Sequence, residues 1–299
     1  MKITIVGAGA VGSLWACRLA ARHQVHLWTR HNTDQCEIRF QPLGEEKIQT
    51  WPFKANDPTQ LAQADIVIFT VKAFQLHAAL ATVEDLLPPS TPIVVMHNGM
   101  GTHDTVLNQL PDHPILYATT AQGALRTEQG VTHTGLGPTR LGAMNLAGKQ
   151  YQHLAAVFDQ ALAPCQWLLD IRLALWQKLA INCAINPLTA ILQCRNGHLA
   201  LNEFTPQLTQ ICEEVAAVMS AEGYPTTVTD LLEQTSAVIS ATAANKSSMN
   251  QDVYHQRTTE IDYITGYLIA RADSHGIAVP ANRALWQQIK QLEQHYHDH

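Results

Sequence analysis

Three polar side chains interrupt a stretch of this chain that is otherwise apolar all round. Lys178, Asn182 and Asn186 stand at i, i+4 and i+8 within Leu175-Trp176-Gln177-Lys178-Leu179-Ala180-Ile181-Asn182-Cys183-Ala184-Ile185-Asn186-Pro187-Leu188. On a helix that spacing places them on one stripe. A buried ammonium and two buried amides are costly unless something meets them, so the stripe implies a ligand or internal partners. The alternative is a lysine that snorkels to solvent and asparagines that pair with neighbouring helices. Pro187 disfavours helical geometry at Asn186 and predicts a kink there. A second polar run, Asn245-Lys246-Ser247-Ser248-Met249-Asn250-Gln251-Asp252, precedes a predicted helix in which Glu260 shares a stripe with Ile264 and Tyr267. That stripe suggests a carboxylate turned partly inward; on its own, such a glutamate is as compatible with a surface or capping position.

The other chemical signal is at the start. Lys2-Ile3-Thr4-Ile5-Val6 reads as a short strand, Gly7-Ala8-Gly9-Ala10-Val11-Gly12 as a Gly-x-Gly-x-x-Gly turn, and Leu14, Trp15, Cys17, Arg18 and Leu19 as the helix that follows. Gly7 permits the tight turn, Gly9 lets a pyrophosphate approach the backbone, and Gly12 lets helix pack on strand. Unpaired N–H groups at the helix start would hold the phosphates. The alternative is a structural turn with no ligand. The second strand, Gln24–Trp28, runs into Thr29-Arg30-His31, where a carboxylate would read a ribose 2′-hydroxyl. A guanidinium there favours a 2′-phosphate and hence NADP(H) over NAD(H), unless Arg30 is only a solvated loop charge.

These groups need elements to position them. At 299 residues with 46% hydrophobic content, the chain is long enough for two ordinary cores. Up to about residue 164, short apolar runs alternate with helical stretches, which predicts a parallel sheet wound on both faces. The strands Asp65–Val71 and Thr91–Met96 end at Lys72 and at the turn His97-Asn98-Gly99-Met100-Gly101, putting Lys72 and Asn98 where ligands sit in open α/β sheets. Ile115–Thr119 is a further strand, and the glycines between about Gly130 and Gly142 predict a hairpin that finishes the first domain. Beyond Pro164 helical periodicity takes over: Ile171–Leu192, Pro206–Glu222 and Thr258–His275 read as helices. The fold class is α/β, a Rossmann-type doubly wound parallel sheet (1–167) followed by an all-helical domain (168–299).

A net charge of −6 with dispersed Lys and Arg excludes an electrostatic footprint for nucleic acid, so an anionic substrate must be captured by local groups. The six cysteines lack C-x-x-C spacing and read as reduced, mostly buried thiols. His295, His297 and His299 alternate, but a frayed polar tail explains them and no metal site is expected. With no leader pattern before the first strand and no apolar run near the ~20 residues that cross a bilayer, a soluble cytoplasmic protein with no membrane partner is expected. The amphipathic helices leave both a monomer and a homodimer open.

Several of these segments carry a family resemblance over essentially the whole length. They are the glycine turn, His97-Asn98-Gly99-Met100-Gly101, Lys178 through Ala190, Arg195-Asn196-Gly197, Ser247-Ser248-Met249 with Gln251-Asp252, and Thr259-Glu260-Ile261-Asp262-Tyr263-Ile264. The chain resembles the ketopantoate reductases (2-dehydropantoate 2-reductases), NADPH-dependent enzymes of pantothenate synthesis. The second-domain motifs are the specific ones, since the glycine turn is shared with many unrelated enzymes. The resemblance implies that Lys178 is the catalytic acid and that Glu260 binds a substrate hydroxyl. It places Asn98, Asn182, Asn186 and Asn196 around a small 2-keto acid and Ser248 on its carboxylate. Gly7, Ala8, Gly9, Ala10, Val11, Gly12, Arg30, Lys72 and Asn98 fall on the NADPH/NADP+ side. Residues 31–53 match no usable motif. Two rivals stay open: a related reductase of another 2-keto acid or β-hydroxyacid, and a non-catalytic NADPH sensor, which would have no use for a proton donor.

Overall fold

The structure is a computed structural model that describes residues 1–297, so of the C-terminal histidines His299 lies outside the described residues. The chain divides into two compact units, Met1–His97 with Thr102–Ala174, and Asn98–Gly101 with Leu175–His299.

The first unit is built on one sheet. In chain order its elements are β1 (Lys2–Val6), α1 (Ala10–Ala20), β2 (Gln24–Trp28), β3 (Gln35–Gln41), β4 (Gln49–Ala55), α2 (Pro58–Ala62), β5 (Ile66–Phe69) and α3 (Leu76–Ala81). They continue with β6 (Ile93–Val95), α4 (His103–Gln109), β7 (Ile115–Thr120), β8 (Gly123–Thr127), β9 (Gly130–Gly135), β10 (Thr139–Ala143), α5 (Leu154–Ala161) and β11 (Cys165–Trp167). The sheet order is β11-β10-β7-β6-β5-β1-β2-β4-β3-β9-β8. Strands β7, β6, β5, β1, β2 and β4 run parallel and are extended at both ends by antiparallel pairs. The chain leaves β1 for β2 on one side and returns to β5 on the other, so the strand order reverses at β1, the place where open α/β sheets bind ligands.

Burial on both faces explains the continuous apolar runs: Ile66, Val67, Ile68 and Phe69 are all at most 1% exposed. Helix α1 packs Leu14, Trp15 and Leu19 into the same core, with Trp15 edge-on to Phe158 of α5 at 5.0 Å between centroids. The hairpin differs from the sequence reading. It joins β8 to β9, whereas Leu136-Gly137-Pro138 connects β9 to β10, which pairs with β7 instead. Residues 31–53, silent in the sequence, include a second hairpin, β3 with β4.

The second unit is helical: α6 (Ile171–Leu192, whose first turn falls in the first unit), α7 (Thr205–Ala221), α8 (Val228–Ala241), α9 (Ser248–Tyr254), α10 (Thr265–Ser274) and α11 (Pro280–Gln294). Pro187 does not end α6, which continues for another turn to Leu192 as one element of 22 residues. The C-terminal end of α6 is locked by the Ser247 segment. Ser247 Oγ caps α9 by accepting from Asn250 N at 3.0 Å and hydrogen-bonds Thr189 Oγ1 at 2.8 Å. Asn250 Nδ2 donates to the Thr189 carbonyl at 2.7 Å and to that of Cys194 at 3.1 Å. No helix of the described residues is long and apolar enough to cross a membrane. No His/Cys/Asp/Glu group among them could hold a metal, and all six cysteines are free.

Candidate active site

Helix α6 realises the stripe. An uninterrupted helix puts Lys178, Asn182 and Asn186 at successive i+4 positions, about 6 Å apart along the axis. Lys178 and Asn182 are half-buried and Asn186 is buried. The surrounding Leu175, Trp176, Leu179, Cys183 and Ile185 are almost wholly buried, so the lysine stands in apolar surroundings. Burial pushes its pKa from 10.5 down to about 8, and the Glu260 carboxylate opposes part of that fall.

Glu260 is not on a helix, contrary to the sequence reading. It precedes a single 3₁₀ turn, Ile261–Tyr263, and the α-helix begins only at Thr265. The periodic apolar pattern runs through this turn, so periodicity alone could not separate turn from helix. The carboxylate is nonetheless inside, 6% exposed, and Oε2 accepts from Asn98 Nδ2 at 3.0 Å. Its neighbour Thr259 is fixed by Glu293 of α11, whose Oε1 accepts from Thr259 N and Oγ1, both at 2.8 Å.

The segment Asn98–Gly101 is held against the same turn. Met100 N donates to the Tyr263 carbonyl at 2.7 Å. Gly99 has φ +83° and lies so close that a Cβ there would collide with that carbonyl; at Gly101, with φ +98°, a Cβ would meet the Tyr267 ring at 2.9 Å. Only glycine fits both demands, a left-handed backbone and close approach. Asn98, Lys178 and Glu260 are thus assembled in one unit. Asn196 and Ser248 stand further along it. The Asn196 Nδ2 donates to Thr242 Oγ1 at 2.9 Å while its buried Oδ1 has no partner, and Ser248 is exposed at the first position of α9.

In the first unit, the glycine turn follows β1 and Gly9 caps α1. Gly7 takes φ +100°, and a Cβ on Gly12 would overlap the Gly7 carbonyl and Thr70 Oγ1. That hydroxyl donates to the Gly7 carbonyl at 2.8 Å, locking the turn. At Gly9, by contrast, nothing lies within 4 Å of where a Cβ would project. The first turn of α1 contains no acidic residue, and Gly9 provides no side-chain cap. Open space above unpaired N–H groups at a helix start suits a phosphate, so Gly7, Ala8, Gly9, Ala10, Val11 and Gly12 fit a dinucleotide. Arg30 is exposed two residues beyond β2, and Lys72 follows β5 with Nζ 5.7 Å from the centre of the Phe74 ring.

Asn56 was missed by the sequence reading. At φ +54° it accepts from Thr29 N at 2.8 Å and donates to the carbonyls of His31 at 2.6 Å and Thr33 at 2.8 Å. It therefore fixes the loop that carries Arg30. The signal available was Asn56-Asp57-Pro58, a turn sequence whose asparagine tolerates the left-handed region.

Residues 3–145 match the family model Ketopantoate reductase PanE/ApbA, and residues 170–293 match Ketopantoate reductase PanE/ApbA C terminal. The chain belongs to the ketopantoate reductase family. As a member of that family it is an oxidoreductase. A curated relative, the 2-dehydropantoate 2-reductase of Vibrio cholerae, is 49% identical over 296 residues, covering 98% of each chain. The crystal structure of a PanE/ApbA family ketopantoate reductase from Ralstonia eutropha JMP134 superposes with a TM-score of 0.86 at 29% identity over 100% of both chains. A D-mandelate dehydrogenase solved with NADH and anilino(oxo)acetate gives 0.89 over 99% of both chains, and at 22% identity it speaks for the fold alone.

Proposed function

We propose that this chain reduces 2-dehydropantoate to D-pantoate with NADPH, in the cytoplasmic synthesis of pantothenate and coenzyme A, and that Lys178 is the general acid. The observation that carries this reading is a half-buried lysine in an apolar helix, within electrostatic reach of a buried carboxylate that Asn98 holds in place. Bound NADPH supplies the hydride that converts the ketone carbon to an alcohol carbon. Negative charge then develops on the ketone oxygen, and the Lys178 ammonium stabilises it and delivers a proton from Nζ, leaving a neutral amine that water reprotonates. Asn182 and Asn186 orient the keto acid along the stripe without charge to balance. Asn196 and Ser248 complete the polar set around its carboxylate end. Glu260 accepts from the substrate hydroxyl that distinguishes ketopantoate from simpler 2-keto acids. Arg30 favours NADPH through the 2′-phosphate, and Lys72 stands on the cofactor side of the site.

The test is NADPH oxidation with and without ketopantoate, for the wild type and Lys178→Ala. Wild-type turnover with ketopantoate is expected, and the variant should lose about 10²–10⁴ in kcat while still binding NADPH. A variant that keeps near-native kcat would show that the proton comes from another group.

A further inference from the structure

Beside the glycine turn stands a cation that the proposed function does not use. Arg126 lies on β8, in the hairpin at the end of the sheet, and its Nη1 donates to the Ala8 carbonyl at 2.6 Å. Ala8 is the residue between Gly7 and Gly9. We propose that Arg126 is a cofactor-binding residue whose guanidinium closes on the pyrophosphate of the dinucleotide held by this turn; the assignment rests on the cofactor reading above.

Three features support it. First, a guanidinium has five N–H donors, and the bond to Ala8 engages one of them. The side chain is exposed and forms no ion pair among the described residues, so its charge is not neutralised by the protein. Second, a pyrophosphate brings two negative charges, whereas the start of α1 offers roughly half a positive charge and no side-chain cation in its first turn. Arg30 and Lys72 stand at the ends of other strands, β2 and β5; Arg126 is tethered to the turn itself. Third, the tether holds the planar fork in place before a ligand arrives, which lowers the ordering cost of a charged hydrogen bond.

A purely structural role, holding the turn, predicts something different. Ser13 Oγ also donates to the Ala8 carbonyl, at 3.3 Å, so loss of Arg126 does not leave that oxygen orphaned. The apo protein should therefore tolerate its loss.

The experiment is calorimetric titration of NADPH and of NADH into the wild type, Arg126→Gln and Arg126→Lys, with the melting temperature of each apo protein. Arg126→Gln should weaken both dinucleotides by the same factor, about tenfold or more, with an unchanged apo melting temperature. Arg126→Lys should recover part of the loss, since it restores the charge without the fork. Unaltered affinities in Arg126→Gln overturn the assignment. So does a loss confined to NADPH, which would move the guanidinium to the 2′-phosphate, and so does a loss matched by a fall in apo melting temperature. A wild type that binds neither dinucleotide overturns the cofactor reading itself, whereas wild-type binding with an unaffected Arg126→Gln overturns this inference alone.

Discussion

At about pH 8 the Lys178 ammonium gives up its proton, because burial outweighs the attraction of Glu260. If that ammonium is the proton donor, kcat/KM for keto-acid reduction should fall about tenfold per pH unit above this value, and oxidation of the product should show the opposite slope. A flat profile across pH 7–10 would remove Lys178 from the proton transfer. The same displacement has a stability consequence. With a folded pKa near 8 and an unfolded value of 10.5, both states are protonated below pH 8 and the penalty is fully present; between the two values the unfolded chain binds more protons, so stability rises with pH. Lys178→Met should therefore be more stable than the wild type at pH 7, by up to roughly 3 kcal/mol, and the difference should shrink by pH 10. Denaturant melts at both pH values measure this; a wild type more stable than the variant at pH 7 refutes it. Glu260 yields a separate prediction. Glu260→Ala should lower kcat/KM for ketopantoate far more than for 2-ketoisovalerate, which lacks the hydroxyl, and equal losses would make its role structural or electrostatic. The Lys178 stripe was readable from spacing because its three members lie on one helix. The Asn98–Glu260 hydrogen bond was not, because 162 positions separate its partners and no local pattern links them.

Elements differ in how far their sequence determines them. Helix α6 and strands β1 and β2 were delimited to the residue, because an apolar run between turn signals leaves one solution. The Thr258–His275 helix was not, because the turn after Glu260 is set by tertiary ties. Met100 donates to the Tyr263 carbonyl, and Asp262 accepts from Trp286 Nε1 at 2.8 Å and Lys290 Nζ at 2.9 Å. The Asn98–Gly101 segment is the element on which those ties converge, and Gly99 is its tightest point. Gly99→Ala would force a Cβ into the Tyr263 carbonyl at φ +83°, a conformation costing on the order of 1–3 kcal/mol. It should displace Asn98 from Glu260 and lower kcat/KM by about tenfold or more. Gly44→Ala is the control: φ is +76° there, but nothing lies within 4 Å of the added carbon. If both variants lose activity equally, backbone strain alone explains the effect and the close approach to Tyr263 is immaterial.

Over the whole molecule the net charge is −6, so binding of the two anionic ligands proposed above must rest on local cations and backbone dipoles rather than on a general field. Each unit can therefore be perturbed by itself, and Glu214 is the place to do so. It is 7% exposed on α7, and its two oxygens accept from Ala281 N at 2.8 Å, Asn282 N at 2.9 Å and Asn282 Nδ2 at 2.8 Å. It thereby ties the first turn of α11 across 67 residues of sequence. Helix α11 in turn supplies Glu293, Trp286 and Lys290, the groups that fix Thr259 and Asp262 on either side of Glu260. Glu214→Ala leaves buried donors unpaired and should cost about 3 kcal/mol of stability. Because the ties run on to Glu260, kcat/KM for ketopantoate should fall as well. Of the cofactor-side residues, the glycine turn, Arg30 and Lys72 belong to the other unit and share no partner with Glu214, and only Asn98 is tied to Glu260, so NADPH affinity should fall far less than kcat/KM. The measurements are a melt, a titration with NADPH and steady-state kinetics on the same preparation. A parallel loss of NADPH affinity would show that the two units do not answer separately to such a lesion, and an unchanged melt would mean that α11 does not depend on this carboxylate.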